Sequence, residues 1–250
     1  MKTRRQFQGM FAIARFNWPY YLAALAALVL SATAFFLLSI SLRAVSAVAF
    51  GCAAYFIIVS MGVSHIVYDR SDLYRWAWLE RSIQGVSMRH AFFCYCGFDE
   101  TSSELRERFG HVQWNTLDHY DPERMTEPSI HRARALFPPA PDTLACRYDA
   151  WPLPGESADV VFGLLAIHEL RSEAERTAWF AEASRNLRHG GRVVLAEHMR
   201  DLANFLAFGP GFLHFHSLAS WRRCWEPAGL RCLDQFPVTP FVQIIVLTKP

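Results

Sequence analysis

The chain changes its hydrophobic rhythm once, near residue 68. Between Tyr20 and Leu42 lie 23 positions without a charged side chain, and a second uncharged run extends from Ala44 to Tyr68, with Arg43 between the two. Neither run leaves a polar face for water, so a pair of soluble helices is a poor reading. A helix of 23 residues is about 35 Å long and crosses a hydrocarbon core of about 30 Å. The pattern therefore predicts a transmembrane helical hairpin turning at Arg43. A cleaved signal peptide does not fit, because the first run is too long and leads directly into a second. A re-entrant hairpin is the alternative that so short a turn leaves open.

From Arg89 onward the rhythm is that of short apolar runs alternating with helical stretches, the sign of a parallel α/β sheet. Strands are predicted at His90–Tyr95, His111–Leu117, Thr143–Arg147, Ala158–Ile167 and Arg192–Glu197, and near Arg231–Pro237 and Phe241–Thr248. Helices are predicted near Ser102–Phe109, within the Pro-rich crossing EPSIHRARALFPPAPD, at Ser172–Arg188 and at Leu218–Ala228. Ser172 with Glu175 three residues on is a capping box, and Gly190–Gly191 suggests a left-handed cap closing that helix. The segment from Tyr68 to Ile83 reads as an amphipathic helix on the membrane face or as a first helix packed on the sheet. Three units follow: a two-span anchor (1–68), a juxtamembrane linker helix (69–88) and an α/β domain (89–250).

Charge orients the anchor. Lys2, Arg4, Arg5 and Arg15 precede the first run, while Arg70, Arg75 and Arg81 follow the second, so both ends should face the cytoplasm of an inner (cytoplasmic) membrane. Trp18, Tyr20, Tyr21, Tyr68, Tyr74, Trp76 and Trp78 stand where an interfacial aromatic belt would. A net charge of +2 gives no general nucleic-acid-binding surface. The six cysteines are scattered, one of them inside an apolar run, and read as reduced thiols rather than a disulfide framework. Cys94-x-Cys96 has no second pair to complete a zinc site, and His214-x-His216 has no third ligand at a readable spacing.

The stretch CRYDAWPLPGESADVVFGLLAIHEL, Cys146 to Leu170, places Asp149 before a Trp-Pro-Leu-Pro turn, then an apolar strand, then His168 and Glu169. With RNLRHGGRVVLAEH (Arg185–His198), WRRCWEPAGLRC and the closing FVQIIVLTK, it resembles the Rossmann-like, class I S-adenosylmethionine-dependent methyltransferases. The resemblance runs from Arg89 to Pro250 and is better after Asp149 than before it. It implies a seven-stranded Rossmann-like methyltransferase sheet and S-adenosyl-L-methionine as the cofactor. Two apolar runs ahead of such a domain also resemble the membrane-anchored methyltransferases of aryl-polyene pigment pathways.

Carried over to this chain, the resemblance implies a cofactor turn at Cys96–Gly97, where family members have several glycines and this sequence keeps only Gly97. Asp118 or Asp121 would accept the ribose hydroxyls, Asp149 with Ala150 would lie on the adenine side, and Leu165 would line the site at the end of the fourth strand. An oxygen or activated-carbon acceptor must lose a proton, for which a His or carboxylate is suited. His168 and Glu169 are the catalytic candidates, with His198, His214 and His216 as further ones. The Phe-rich insertion Leu202–Leu218 would be a lid, a second membrane-contacting surface, or a buried connector helix broken by Gly209-Pro210-Gly211; a lid would favour a lipophilic or carrier-bound acceptor, with pathway enzymes as partners. The competing reading is a non-catalytic membrane scaffold on a degenerate methyltransferase fold. A nicotinamide-dependent reductase suffers from the same missing glycines and lacks a Tyr-x-x-x-Lys pair.

Overall fold

The computed structural model describes residues 6–250, so the basic residues Lys2, Arg4 and Arg5 lie outside the described part. Seven strands form one sheet: β1 (His90–Tyr95), β2 (Gln113–Asp118), β3 (Leu144–Ala145), β4 (Ala158–Leu164), β5 (Leu187–His198), β6 (Arg231–Thr239) and β7 (Val242–Thr248). Their order is β3-β2-β1-β4-β5-β7-β6, parallel from β3 to β5 and antiparallel where β7 joins β5 and β6. The central strands β1 and β4 are buried almost throughout, as expected of parallel strands covered on both faces. The chain order reverses beside β1, and the crevice outside the carboxyl ends of β1 and β4 is the site that such sheets offer to ligands.

Helices α1 (Gln8–Phe16), α2 (Trp18–Leu37) and α3 (Ile40–His65) precede the sheet. Among the described residues two helices are long and apolar enough to cross a membrane, Trp18–Leu37 and Ile40–Arg70, the latter including a π-helical end at Ile66–Arg70. The break between them falls at Leu38–Ser39 rather than at Arg43. Ser39 has the extended backbone of a helix-capping position, and Arg43 lies one turn into α3 with its guanidinium 5.9 Å from the Phe35 ring centroid. The expected amphipathic helix over 68–83 is replaced by the π-helical end, a turn, and a short helix α4 (Ala77–Ser82). Trp76 and Trp78 belong to the core, not to an interfacial belt. Their indole nitrogens donate to Glu104 (3.2 Å) and to the Leu73 carbonyl (2.9 Å).

The remaining helices are α5 (Ser102–Arg108), α6 (Pro128–Leu136), α7 (Glu173–Asn186), α8 (Leu202–Phe208) and α9 (Leu218–Trp225). The Ser172–Glu175 capping box opens α7 as expected. Gly190–Gly191 does not close it. The helix ends at Asn186 because Leu187, fully buried, is already extended and paired with Ala158, and Gly190 (φ +76°) sits inside β5.

The N-terminal helices are tied to the sheet domain by specific bonds. The Asp69 carboxylate, in the π-helical segment after α3, accepts from the backbone N–H of Gly9 (2.7 Å) and Met10 (3.1 Å), capping α1 from across the fold. Arg132 on α6 donates to the carbonyl of Phe16, the last residue of α1, at 2.7 Å. Tyr55 on α3 donates to the Leu206 carbonyl on α8 at 2.9 Å. Val63 and Val67 lie in the same apolar core as Phe93, Tyr95 and Ile167.

Candidate active site

Four backbone features shape the carboxyl end of the sheet. After β1 the chain turns through Gly97 at φ +86°, and a Cβ there would stand 2.6 Å from the Tyr120 ring, so only glycine fits. After β2, Asp118 is buried. Its Oδ1 accepts from Gly97 N and Tyr120 N (3.0 Å each), and its Oδ2 accepts from Arg134 on α6 (2.5 Å). After β4, Leu165 is held at φ +53° while its N–H donates to the Ala196 carbonyl (2.7 Å). Backbone strain of this kind in a non-glycine residue is concentrated at functional sites. A 3-10 turn, Ile167–Glu169, follows directly.

That turn is organised by Glu197, a fully buried carboxylate near the end of β5. Its Oε1 accepts from the backbone N–H of Ala166 (3.3 Å), Ile167 (2.9 Å) and His168 (3.3 Å), and its Oε2 accepts from His168 Nδ1 at 2.6 Å. The bond fixes the tautomer, so a neutral His168 carries its proton on Nδ1 and leaves Nε2 free. Burial is the largest influence on His168 and opposes its protonation. The charge and hydrogen bond of Glu197, with the charge of Glu169, outweigh it and raise the pKa above the ordinary value. Glu169 itself is lowered: burial works against its charge, but the His214 hydrogen bond and the nearby His168 prevail.

His198, the next residue along β5, is arranged differently. Its Nδ1 donates to the Phe241 carbonyl (2.9 Å) and its Nε2 accepts from the Tyr68 hydroxyl (2.8 Å), with burial lowering its pKa to about 4. His216 accepts from Arg176 (2.9 Å), and burial followed by the Arg176 charge lowers it to about 3. Both are neutral structural histidines, His198 with both ring nitrogens engaged and His216 with its Nε2 engaged.

A cavity of about 910 Å³ lies over the sheet end. Cys96, Leu165, His168 and Glu169 form its floor, Ile13, Tyr21, Phe56 and Ser60 of the N-terminal helices one wall, and Phe208, His214 and Phe215 another. A smaller pocket of about 230 Å³ is lined by Asp121, Tyr148 and Glu175, and Glu169 belongs to both. Of the residues expected at the cofactor, Cys96 and Leu165 therefore reach the large cavity, Asp121 reaches the small one, and Asp118 braces the Gly97 turn. Asp149 and Ala150 lie on a turn outside both. Asp149 is paired bidentately with Arg147 (2.8 and 2.6 Å), which holds its carboxyl below the usual range. Glu197 was missed by sequence reasoning, although a lone Glu after the apolar run Val193–Ala196 is the kind of buried charge that calls for a partner.

This sheet order with its reversed last strand, and a crevice at the carboxyl ends of β1 and β4, define the class I methyltransferase fold. Residues 96–195 match the family profile described as "Methyltransferase domain". The chain thus carries a class I S-adenosylmethionine-dependent methyltransferase domain, and S-adenosyl-L-methionine is the cofactor of that class. Among solved structures, a SAM dependent methyltransferase from Aquifex aeolicus superposes with a TM-score of 0.54 at 15% identity, over 72% of this chain and 90% of that one. The [4+2]-cyclase SpnF gives 0.51 at 15%, over 71% and 81%. A geranyl diphosphate methyltransferase in complex with GPP and sinefungin gives 0.50 at 15%, over 70% and 77%. At these identities the likeness is one of fold. No curated protein sequence matches the chain.

Proposed function

We propose that the protein is a membrane-anchored methyltransferase that moves the methyl group of S-adenosyl-L-methionine to a hydroxyl or ring carbon of a lipophilic aromatic or carrier-bound acceptor. The observation that carries this reading is the composition of the large cavity, whose floor is the sheet end and whose wall is built by two apolar helices. An acceptor with an apolar body would lie along Tyr21 and Phe56 and present its polar head to His168. The sulfonium needs no activation by protein groups, so placing donor and acceptor in line can supply up to about 7–11 kcal/mol in favourable cases. His168, oriented by Glu197, would take the acceptor proton on Nε2, and a raised pKa makes the imidazole a stronger base for that task. Glu169 stands beside it as the second catalytic candidate.

In this reading the cofactor lies across Cys96, Gly97 and Leu165, with Asp121 or Asp118 on the ribose and Asp149–Ala150 towards the adenine. For Asp118 that role requires Arg134 to move off its outer oxygen. α2 and α3 would span the cytoplasmic membrane and hold the catalytic domain on its cytoplasmic face. The aryl-polyene pathway type is the narrower form of the same reading, with pathway enzymes as partners. The Asp118–Arg134 pair and the single glycine favour a second reading, a membrane scaffold that has given up catalysis.

Calorimetry of S-adenosylmethionine binding to the detergent-solubilised protein separates the two, with Asp121→Ala and Asp149→Ala variants alongside. Micromolar binding that either variant weakens supports the enzyme. Folded protein that binds no cofactor, with or without membrane lipid extract, supports the scaffold.

A further inference from the structure

The cavity contains a group of side chains that proton transfer alone does not require. Glu169 Oε1 lies 3.3 Å from His214 Nε2 and 3.7 Å from His168 Nε2, and the three donor atoms are all within 4.8 Å of one another. The second oxygen of Glu169 is buried without a hydrogen-bond partner among the described residues. Behind each imidazole, on the nitrogen facing away from Glu169, stands a further carboxylate. Glu197 is 2.6 Å from His168 Nδ1, and Glu127 is 3.9 Å from His214 Nδ1. Glu127 also has a buried oxygen without a partner among the described residues.

We propose that His168, Glu169 and His214 bind a divalent cation of the Zn²⁺ type at the acceptor end of the cavity. Two imidazole nitrogens and one carboxylate form a donor set that Zn²⁺ accepts, with metal–donor bonds of about 2.0–2.2 Å and hence donors about 3.3–3.6 Å apart in a tetrahedron. The two edges through Glu169 are already near that length; the His168–His214 edge closes as the rings draw in. Mg²⁺ is disfavoured because it prefers oxygen donors and near-octahedral geometry. The outer carboxylates complete the pattern. A ligating histidine usually donates its other N–H to a carboxylate, carbonyl or water, which fixes the ring and raises its basicity. Glu197 makes that bond to His168, and Glu127 is placed to do so for His214.

The elements that build the site are 45 residues apart in the chain. His168 and Glu169 sit on the turn after β4, and His214 ends the 3-10 segment Gly209–His214 after α8. Arg171 from the first element donates to the carbonyl of His214 on the second, which holds the two together. All three candidate ligands line the large cavity, so the fourth position of a tetrahedral cation would face the acceptor and suit an oxygen-bearing head group. With the cation bound, His168 Nε2 would be a ligand and no longer the base; an acceptor hydroxyl on the metal would have its pKa lowered and would lose its proton to solvent before taking the methyl group. This role in catalysis rests on the methyltransferase reading, whereas binding of the cation does not.

The test uses the full-length protein in detergent, with any affinity tag removed and stripped by a chelator, then titrated with Zn²⁺ and separately with Mg²⁺. His214→Ala and Glu169→Gln are compared with the parent, and S-adenosylmethionine binding is measured on the same samples. The expected result is one Zn²⁺ per chain, bound at least ten-fold more tightly than in either variant, with little response to Mg²⁺. Glu127→Gln, which leaves all three ligands in place, should weaken Zn²⁺ by a smaller factor. Zn²⁺ binding that is substoichiometric, or equal in the parent and in folded Glu169→Gln, overturns the site. Metal binding without cofactor binding leaves the site standing and removes the methyltransferase role, and the reverse result removes the site alone.

Discussion

Replacing Glu197 by Gln tests the centre of the site. Glu197 accepts four hydrogen bonds, three from backbone N–H groups and one from His168. In the Gln variant the amide oxygen can keep the three backbone donors, but the NH₂ group then faces His168 Nδ1 and drives the imidazole into the opposite tautomer. A hydrogen bond to a charged acceptor contributes about 1.5–3 kcal/mol and one to a neutral acceptor about 0.5–1.5. Because two of the three backbone bonds are long at 3.3 Å, the expected loss is about 2 kcal/mol, or about 4–8 °C in Tm for a domain of this size. Ala at this position would strand four buried donors at about 1–3 kcal/mol each, so Gln is the informative change. The raised pKa of His168 makes the loss depend on pH. The stabilising pair is fully present below the unfolded value of about 6.5 and is lost as pH rises through the higher folded value. The gap in Tm between parent and variant should therefore be wider at pH 6 than at pH 9. Imidazole ¹⁵N NMR on chelator-treated protein reads the cause directly, since His168 should titrate lower in the variant, where the charge of Glu169 remains against burial but that of Glu197 is gone. A His168 titration that does not move refutes the pairing.

Burial lowers His119 and His198 to about 4, and burial with the Arg176 charge lowers His216 to about 3. The unfolded imidazoles take up protons from about pH 6.5 downward while the folded ones do not, so stability should fall by roughly 3 kcal/mol per histidine on the way to pH 4. A Tm equal at pH 5 and pH 7.5 would contradict this. Gly97→Ala forces a side chain into φ +86° and against Tyr120, costing about 1–3 kcal/mol of backbone strain before the clash is added. Thermal melts should show the loss, and calorimetry should show the cofactor affinity gone. Tyr68→Phe removes the donor to His198 Nε2 and should cost about 1–3 kcal/mol of stability by chemical denaturation, with no loss of protein from the membrane fraction.

The succession of strands along the chain was legible because each carries its own local signal. β1 was placed to the residue, and the Ser172–Glu175 box marked the start of α7. What failed was decided by long-range packing. Gly190–Gly191 has the composition of a helix cap, but the pairing of Leu187 with Ala158 had already drawn the chain into β5. Trp76 and Trp78 looked interfacial because they follow an apolar run, yet hydrogen bonds to Glu104 and Leu73 fix them inside the core. His168 and Glu169 could be chosen from their place after an apolar strand. Glu197 could not, since 29 residues separate it from His168, and His214 could be named as a candidate but not matched to Glu169, which lies 45 residues away in the chain. A sequence shows which strand ends carry chemistry, and only the folded chain shows which ends face one another.

The carbonyl of Phe16, the cap that Asp69 lays on α1, and the burial of Val63 and Val67 all make the N-terminal helices part of the chamber they border. They do not act as a leash. A leash can be cut or exchanged and leave the enzyme whole, but trimming this chain back to residue 89 would take away a side of the reaction vessel and bare the core behind it. In the proposed reading, anchor and catalyst are then inherited together: drift in the helices would reshape the cavity, and a change of acceptor would be written partly in the helices that border it.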